Sequence, residues 1–465
     1  MICVALKGQT ADEMVARAAA ALSAGAHMVE FRIDTLIEPS AEALRKLSAV
    51  RALKIATLKG RSLELMRRKD AAELLSPFDY VDIELEDVSR VRLPQQLVSR
   101  LVVSHHGPMA SPGELESVIR AELRAGAVAK CVGTRGSFAE ASLYAGGAEG
   151  FEKQRVMTFS TGAAGLLSRL ASLRNGAPWT YASLSEGERT ADGQPVLSDL
   201  ADLQDGLLNV LIGADVSRSP SPVIQNYALG RHRLRGRYIA LSLGSREELE
   251  PFFTCARAAG VRGINVTMPY KTDVLPFMSA VDDQAGRIGA VNTVVVEGDR
   301  LVGYNTDYTA VSRLLNGQRH GRVLLIGSGG AARSAAEALH GSDITILSRD
   351  AARGTAMALS MGFENNAFEA GGSYDIIVNC TPAGMDGRRA PLPDGVTSCT
   401  FRTVMDFVYS KKKTSYRMLA EEQSCRYIGG AEILANQAAA SFRLWTGTDA
   451  PLDDMLSILR KEGFS

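Results

Sequence analysis

The chain has 465 residues, 46% of them hydrophobic and 22% charged, and this composition excludes disordered, collagenous and membrane-spanning proteins. Lysine plus arginine equals aspartate plus glutamate at 52 each, so no net charge attracts nucleic acid or an anionic membrane, and small-molecule substrates are favoured. Six cysteines without paired or zinc-ligand spacing indicate reduced thiols and no metal, and we expect no secretory signal and a cytoplasmic location.

The first 204 residues alternate short apolar runs with longer amphipathic stretches, such as 11–24 and 112–125, whose apolar residues follow helical spacing. Eight apolar runs are predicted strands: 2–6, 28–33, 54–57, 80–84, 101–104, 128–131, 156–159 and 179–182. Eight strands that alternate with helices are typical of a parallel (β/α)8 TIM barrel. Residues 1–204 are therefore predicted to form one barrel domain.

Charged residues fall at the carboxyl ends of several of these strands, the face that carries the active site of a TIM barrel. Because side chains alternate along a strand, three strand ends each present a polar set on one face: Glu30, Arg32 and Asp34; Asp82 and Glu84; Ser104 and His106. On the sixth strand Lys130 stands among apolar neighbours, and we expect desolvation to lower its pKa and free the amine as a nucleophile.

Each of these residues alone has an ordinary interpretation. Lys130 could reach solvent from a strand end, and His106 could be a surface histidine. Charged groups on several strand ends at once are hard to explain in a barrel core, so together they predict an anion-binding pocket that forms a Schiff base.

At these residues the first half resembles type I 3-dehydroquinate dehydratases, with their E-x-R-x-D strand, S-x-H strand end and Schiff-base lysine. Residues 162–169 are similar to the G-x-x-x-x-S-R element of that family with one extra residue, and Gly193 with Gln194 is similar to the G-Q of its final loop. The resemblance implies that Lys130 forms an imine with the substrate ketone. It implies that His106 removes a proton from the adjacent carbon and later protonates the leaving hydroxyl.

The same resemblance implies a substrate-binding set: Glu30, Arg32, Lys59, Asp82, Glu84, Arg169 and Gln194. In it, Asp82 and Glu84 would orient His106, whereas Arg169 and Gln194 would hold the carboxylate and hydroxyls of the ring. The chain departs from the family in having no E-G-G, in reading H-G-P instead of H-D-F at 106–108, and in Asp192 where proline is usual. Lys59 or Arg61 would stand in for the arginine of the family's T-x-R.

The second half begins after a short polar joint at 199–206 with a predicted strand, 208–213, and a Ser/Pro-rich turn, 217–222, which alone would be an ordinary loop. Three polar clusters follow, each at a strand end: 263–271, 289–293 and 303–307. Asn and Thr between apolar residues are unusual in a core. The clusters therefore predict a polyhydroxylated ligand that needs directional donors and acceptors.

A glycine-rich turn joins a buried strand, 323–326, to a helix, 333–339, and its residues are Gly327, Ser328, Gly329, Gly330 and Ala331. This strand–turn–helix order is a dinucleotide fingerprint, because the glycines let the backbone approach the pyrophosphate at the helix amino terminus. The sequence therefore predicts a Rossmann domain.

The cofactor is predicted from the next strand, 343–347, which ends in Ser348 and Arg349, with Arg353 one helical turn further on. Cations at this place favour the 2′-phosphate of NADP over the ribose of NAD. Asp350 would argue for NAD, but we expect it to cap the following helix.

These clusters resemble shikimate dehydrogenases over the whole second half. Four segments match before the glycine-rich turn: S-x-S-P-x-x-x-N at 219–226, N-V-T-x-P-x-K at 265–271, A-V-N-T at 290–293 and N-T-D at 305–307. Three match after it: N-x-T-x-x-G-M at 379–385, D-x-x-Y at 406–409 and G-G-x-x-M-L-x-x-Q at 429–437. Two positions differ from the family, Gln225 where histidine is common and Ile433 where methionine is usual.

That resemblance implies hydride transfer from NADPH to 3-dehydroshikimate, with Lys271 and Asp307 handling the hydroxyl proton. It implies two further sets. Substrate would be held by Ser219, Ser221, Thr267, Asn292, Tyr409 and Gln437. Thr381 and Gly430 would complete the cofactor site.

The sequence as a whole therefore predicts a bifunctional lyase and oxidoreductase of the shikimate pathway, acting on 3-dehydroquinate and then on 3-dehydroshikimate. Its parts are a barrel at 1–204, a substrate domain at 207–308, a Rossmann NADP-binding domain at 309–430 and returning helices at 431–465. Two alternatives stay open: a barrel that only binds ligand, and a dehydrogenase that uses quinate with NAD. Basic runs such as 231–237 are interpreted as solvated surface, so no nucleic acid or membrane partner is expected, and the oligomeric state is left open.

Overall fold

The computed structural model describes residues 1–316, 321–363, 365–388 and 390–464. Contacts divide the chain into two units, Met1–Gly206 with Glu247–Val261, and Leu207–Arg246 with Arg262–Ser465. Within the described ranges, no helix has both the length and the apolar composition that a membrane crossing needs. All six cysteines are free thiols.

The first unit contains one parallel sheet of eight strands. They are β1 (Ile2–Leu6), β2 (Met28–Arg32), β3 (Leu53–Thr57), β4 (Tyr80–Glu84), β5 (Leu101–His106), β6 (Val128–Gly133), β7 (Val156–Ser160) and β8 (Thr180–Ala182). The strand order is β7-β6-β5-β4-β3-β2-β1-β8, and every recorded pairing is parallel. Because β8 pairs with β1, the sheet is nearly closed. The predicted barrel and its eight strands are confirmed.

Helices connect and surround these strands. They are α1 (Ala11–Ser23), α2 (Ala41–Ser48), α3 (Ala71–Leu75), α4 (Pro112–Ala125), α5 (Phe138–Gly146), α6 (Gly165–Arg174) and α7 (Leu197–Gln204), together with α9 (Leu249–Ala258) from residues 247–261. Thr10, Ser40, Ser111 and Ser137 each begin a helix by accepting a hydrogen bond from a backbone N–H three residues on. The core of the first unit contains an apolar cluster that includes Met28, Ile55, Val128 and Trp179.

The second unit contains two sheets. The first is mixed, in the order β10-β9-β11-β13-β14-β12, and the second is parallel, in the order β16-β15-β17-β18-β19. The strands of the mixed sheet are β9 (Leu207–Gly213), β10 (Gly236–Ser242), β11 (Val261–Val266), β12 (Ala280–Val281), β13 (Thr293–Glu297) and β14 (Arg300–Tyr304). Those of the parallel sheet are β15 (Arg322–Ile326), β16 (Asp343–Leu347), β17 (Ser373–Asn379), β18 (Thr400–Asp406) and β19 (Arg426–Ile428).

The helices of this unit are α8 (Ser221–Arg231), α10 (Asp283–Ile288), α11 (Thr306–Leu314), α12 (Gly330–Ala338), α13 (Ala351–Ser360), α14 (Ser415–Glu422), α15 (Gly430–Thr446) and α16 (Leu452–Lys461). Strand β15 pairs with β16 on one side and β17 on the other, so its carboxyl end is the switch point where doubly wound sheets bind ligands. The predicted Rossmann fold is confirmed. Helix α15 returns to pack against α8 and α11.

Candidate active sites

A buried lysine and carboxylate form the centre of the barrel site. Nζ of Lys130, which is 5% exposed on β6, lies 2.7 Å from Oδ2 of Asp82 on β4. The other Asp82 oxygen accepts a hydrogen bond from the Ser104 hydroxyl at 2.7 Å. Burial opposes the lysine charge, but Asp82 and Glu30 outweigh it and hold the pKa of Lys130 well above its usual range. The expected lowering of this pKa is therefore wrong, because the compensating carboxylate comes from a strand 48 residues away.

His106 is oriented by Glu84, whose Oε1 lies 2.7 Å from Nδ1 of the imidazole. Lys59 binds the same carboxylate oxygen. The expectation that Asp82 also orients His106 is wrong, since Asp82 binds Lys130 instead. Burial lowers the pKa of His106, with Lys130 and Lys59 adding to the effect against Glu84. Neutral His106 then donates through Nδ1 and keeps Nε2 as a base.

The carboxylate beside His106, Glu84, accepts hydrogen bonds from both His106 and Lys59. Burial would raise the pKa of Glu84, but hydrogen bonds from His106 and Lys59 lower it to about 2. Two residues could replace the family's arginine. Lys59 forms an ion pair with Glu84, whereas Arg61 is exposed and its side chain forms no hydrogen bond or ion pair with the described residues.

Glu30, Arg32 and Asp34 lie at the end of β2. Glu30 is 3% exposed and accepts a hydrogen bond from the Thr57 hydroxyl at 2.5 Å. Arg32 forms a two-pronged pair with Asp34, at 2.9 and 2.7 Å. The Arg32 side chain is partly exposed, and its ion pair with Asp34 fixes its position.

Arg169 and Gln194 each present a buried donor that has no acceptor among the described residues. Nη1 of Arg169 donates to the carbonyls of Ser160 and Gly165 at 3.1 and 3.0 Å, but its Nε has no partner. Gln194 accepts from Thr190 through Oε1 at 2.7 Å, whereas its Nε2 has no partner. Burial lowers the pKa of Arg169 to about 10. Because unpaired buried donors are costly, the pair indicates a ligand that supplies acceptor oxygens.

Three glycines bring the loops of this site into backbone contact. Gly136, Gly162 and Gly193 have φ of 70°, 70° and 65°, a region that favours glycine. A Cβ at Gly193 would lie 1.9 Å from the carbonyl oxygen of Gly162, and a Cβ at Gly162 would lie 2.7 Å from Cα of Gly136. These contacts hold together the loop before α6, the helix that carries Arg169, and the loop that carries Gln194.

In the second unit, Lys271 and Asp307 form an ion pair at 2.5 Å. Their side chains are 15% and 7% exposed. Lys271 follows β11, and Asp307 lies in the first turn of α11, which Asn305 caps. The carboxylate orients Nζ of Lys271, which is the geometry that a proton donor to a substrate oxygen needs.

Five of the six residues predicted to hold substrate in this unit fall into two groups. Ser219 and Ser221 lie 3.2 Å apart through their hydroxyls, and the Tyr409 phenol hydrogen-bonds to Ser219. Asn292 accepts from the backbone N–H of Thr306 at 2.7 Å, and Gln437 accepts from the Thr306 hydroxyl at 3.4 Å. The second group therefore adjoins Asp307. Thr267 packs on β9, whose Gly213 leaves space for its methyl group.

The sequence did not predict Ser441, which lies at the centre of the second group. The hydroxyl of Ser441 lies 3.0 Å from Nδ2 of Asn265, 2.9 Å from the Thr293 hydroxyl and 3.1 Å from the Thr306 hydroxyl. The signal was a polar residue four positions after Gln437, on the same face of one helix. Phe159 and Tyr181 in the barrel were also missed, because aromatic residues in strands are typical of a core.

The nucleotide turn follows β15 as predicted. Gly327 has a φ of 111°, and a Cβ there would meet Thr381 at 3.2 Å. Space around Gly329 is open to 4 Å, and Gly330 begins α12. Ser328 and Ala331 complete the turn and are partly exposed. Gly430 lies close to Tyr409, whose backbone nitrogen a Cβ would meet at 2.4 Å. Such an open backbone at a helix amino terminus fits a pyrophosphate.

The residues after β16 fit NADP. Asp350 accepts from the backbone N–H of Arg353 at 3.1 Å and caps α13, as expected. The Ser348 hydroxyl donates to the Asp350 carbonyl. Arg349 is exposed and forms no hydrogen bond or ion pair with the described residues, and Arg353 is exposed as well. Arg349 and Arg353 are therefore available to bind a 2′-phosphate, whereas the carboxylate of Asp350 is occupied as a helix cap.

Three segments of the chain match known families. Residues 2–205 match the type I 3-dehydroquinase family. Residues 211–294 match the shikimate dehydrogenase substrate binding domain, and residues 430–460 match the shikimate 5'-dehydrogenase C-terminal domain.

Similar proteins cover the second half. The shikimate dehydrogenase (NADP(+)) of Dehalococcoides mccartyi is 36% identical over 267 residues, covering 53% of this chain and 92% of that protein. That of Natronomonas pharaonis is 36% identical over 266 residues, covering 54% and 97%. A crystal structure of shikimate 5-dehydrogenase from Thermus thermophilus with NADP(H) and shikimate has a TM-score of 0.51 at 31% identity, covering 55% of this chain and 99% of that one.

Proposed function

We propose a function from one premise, that this chain belongs to the shikimate dehydrogenase family in its second half and carries a type I 3-dehydroquinase domain in its first. It is a bifunctional enzyme of the shikimate pathway, a lyase joined to an NADP-dependent oxidoreductase. The first reaction dehydrates 3-dehydroquinate, and the second reduces the resulting 3-dehydroshikimate to shikimate. The observation that supports the combination is that each half holds a lysine in an ion pair with a carboxylate, Lys130 with Asp82 and Lys271 with Asp307.

In the barrel, the amine of Lys130 adds to the ketone carbon of 3-dehydroquinate, and loss of water gives an imine. Asp82, at 2.7 Å, is placed to accept the proton that the ammonium loses before attack. His106 then removes a proton from the carbon beside the protonated imine, and the electron pair of that C–H bond moves to the imine nitrogen and neutralises it. When the pair returns, the hydroxyl leaves as water with the proton from His106. Hydrolysis of the imine releases 3-dehydroshikimate and restores Lys130.

Two features support these roles. His106 has a lowered pKa and begins neutral, so it can accept a proton, and Glu84 stabilises the imidazolium that forms. The unpartnered donors of Arg169 and Gln194 suit the carboxylate and hydroxyls of the ring acid.

In the second half, NADPH supplies a hydride to the ketone carbon of 3-dehydroshikimate when it is bound. Lys271 donates the proton that turns the ketone oxygen into a hydroxyl, and Asp307 orients the lysine for that step. The cofactor would be held by the turn from Gly327 to Ala331 with Thr381 and Gly430, and its 2′-phosphate by Arg349 and Arg353 beside Ser348.

The test measures both half-reactions on the full chain. Lys130→Ala should abolish dehydration of 3-dehydroquinate and leave NADP-dependent shikimate oxidation intact, whereas Lys271→Ala should do the reverse. Lys153→Ala, on an exposed lysine of the barrel, serves as the matched control. Normal dehydration by Lys130→Ala would overturn the Schiff-base assignment.

Borohydride trapping with 3-dehydroquinate tests the alternative of a barrel that only binds ligand. A reduced adduct on Lys130, found by mass spectrometry, would exclude that alternative. Steady-state comparison of shikimate with quinate, and of NADP with NAD, tests the second alternative. A preference for quinate with NAD would contradict the assignment of Arg349.

A further inference from the structure

Two aromatic side chains lie against the two buried cations of the barrel site. Nζ of Lys130 lies 4.6 Å from the ring centroid of Tyr181 on β8. The guanidinium carbon of Arg169 lies 4.7 Å from the ring centroid of Phe159 on β7. The two rings contact each other with centroids 5.9 Å apart, and both side chains are almost fully buried. Phe159 and Tyr181 are called the aromatic pair below.

A cation within about 6 Å of a ring face is attracted by the ring quadrupole, and the attraction grows when the cation has lost its hydration. Lys130 and Arg169 are 5% and 1% exposed, so both meet that condition. Glu30 and Asp82 also act on the charge of Lys130, and His106 lies on the same side of the barrel. The ring is therefore one of several groups that stabilise this lysine as a cation.

What distinguishes the ring is that it needs no N–H donor. The ammonium of Lys130 has three protons, and the protonated imine has one, so hydrogen bonding to Asp82 is limited once the substrate is attached. A positive charge remains on the nitrogen. An aromatic face attracts that charge in both states, and so it stabilises the iminium that acts as the electron sink.

The phenol oxygen of Tyr181 is buried and has no hydrogen-bond partner among the described residues. The contact with Lys130 is therefore made by the ring and not by the hydroxyl. Phenylalanine keeps the ring and should substitute for tyrosine, whereas an aliphatic side chain of similar volume should not.

We propose that the aromatic pair positions the two cations of the dehydratase site, Tyr181 holding the Lys130 nitrogen through imine formation and Phe159 holding Arg169 for the substrate carboxylate. The inference rests on the proposed function of Lys130. Tyr181 and Phe159 act through the cations and are positioning residues. Their effects should separate, because Lys130 takes part in the chemical step and Arg169 in binding.

The first experiment compares Tyr181→Phe with Tyr181→Leu in the full chain. We expect Tyr181→Phe to keep the dehydratase kcat within about twofold, and Tyr181→Leu to lower it roughly tenfold with a smaller change in KM. Equal losses in both variants would overturn the proposal, because the hydroxyl would then be the active part.

Fluorinated phenylalanines at position 181 keep the test valid if the leucine variant does not fold. Successive fluorines weaken the negative face of the ring at nearly constant shape, so log kcat should fall steadily along the series. A flat series in folded protein would contradict the proposal.

Phe159→Leu is the matched variant at the other cation. It should raise KM for 3-dehydroquinate roughly tenfold and leave kcat within about twofold. A loss confined to kcat would contradict the division of roles.

Borohydride trapping of the unmodified chain separates the two possible failures. If no adduct forms on Lys130, the proposed function itself fails. If the adduct forms and the Tyr181 variants turn over normally, only the role of the aromatic pair is overturned.

Discussion

Gly330 in the nucleotide turn lies directly against Lys271. A Cβ added at Gly330 would sit 2.9 Å from Cβ of Lys271 and 3.1 Å from its Cδ, closer than van der Waals contact allows. The absence of a side chain at Gly330 therefore leaves room for the lysine beside Asp307. The proposed cofactor site and the proposed proton donor, Lys271, share this contact.

Gly330→Ala should push Lys271 away from its present position and lower the kcat of shikimate oxidation by about tenfold or more. Dehydration of 3-dehydroquinate by the same protein should not change. Gly286→Ala is the control, because nothing lies within 4 Å of its added Cβ. Unchanged kcat in Gly330→Ala would show that the lysine adjusts without loss.

Lys59→Met should move the acid limb of the dehydratase pH profile to higher pH. Lys59 contributes to the lowered pKa of His106, so its removal lets that pKa rise, and His106 must be unprotonated to act as the base. Activity at about pH 6 should therefore fall more than activity at about pH 8, as measured by kcat/KM. Arg61→Met should leave the profile in place, since Arg61 is exposed. A shift of the limb to lower pH would contradict the assignment.

Glu122 on α4 should make the barrel less stable as pH rises. Burial raises its pKa from 4.5 to about 8, with a hydrogen bond from Cys131 opposing. A folded-state pKa above the unfolded one means that the protonated carboxyl stabilises the fold below about pH 4.5 and that this stability is lost as pH rises towards 8.

Glu122→Gln should remove that dependence and unfold at higher urea concentration than the unmodified chain at about pH 8, with a smaller gain at about pH 5. Glu116→Gln, on an exposed residue of the same helix, is the control. A larger gain at the lower pH than at the higher one would mean that the carboxyl is ionised in the fold.

Arg349→Ala should raise KM for NADP about tenfold or more and change KM for NAD little, because only NADP carries the 2′-phosphate. The comparison is made by shikimate oxidation with each cofactor. Arg402→Ala, on an arginine that is 86% exposed on β18, is the control. Equal losses with both cofactors would place Arg349 elsewhere in the site.

Local patterns made much of the fold predictable. The eight barrel strands were found from apolar runs of four to six residues, and the Gly327 turn from its position between strand and helix. The cap by Asp350 followed from its place before α13. Each of these features depends on residues that are neighbours in sequence.

Features that depend on distant partners were not predictable in the same way. The pKa of Lys130 is set by Asp82, 48 residues earlier, and the pattern around the lysine contains no trace of that carboxylate. Likewise, Lys59 and Arg61 are equivalent in sequence, and only the course of the chain after β3 brings Lys59 to Glu84. The sequence around Tyr181 is typical of a barrel core, and only the structure shows that Lys130 lies against its ring.

The return of α15 to α8 has a consequence for biosynthesis. Ile224 and Ala228 on α8 share a core with Leu434 and Phe442 on α15, and Gln225 donates to the carbonyl of Ala438, 213 residues later. While the ribosome is translating the intervening residues, this apolar face of α8 has no cover and is open to chaperones or to aggregation. Barrel strands β1 to β8 are all made before that interval begins. The nascent chain can therefore complete its dehydratase sheet long before its dehydrogenase core can close.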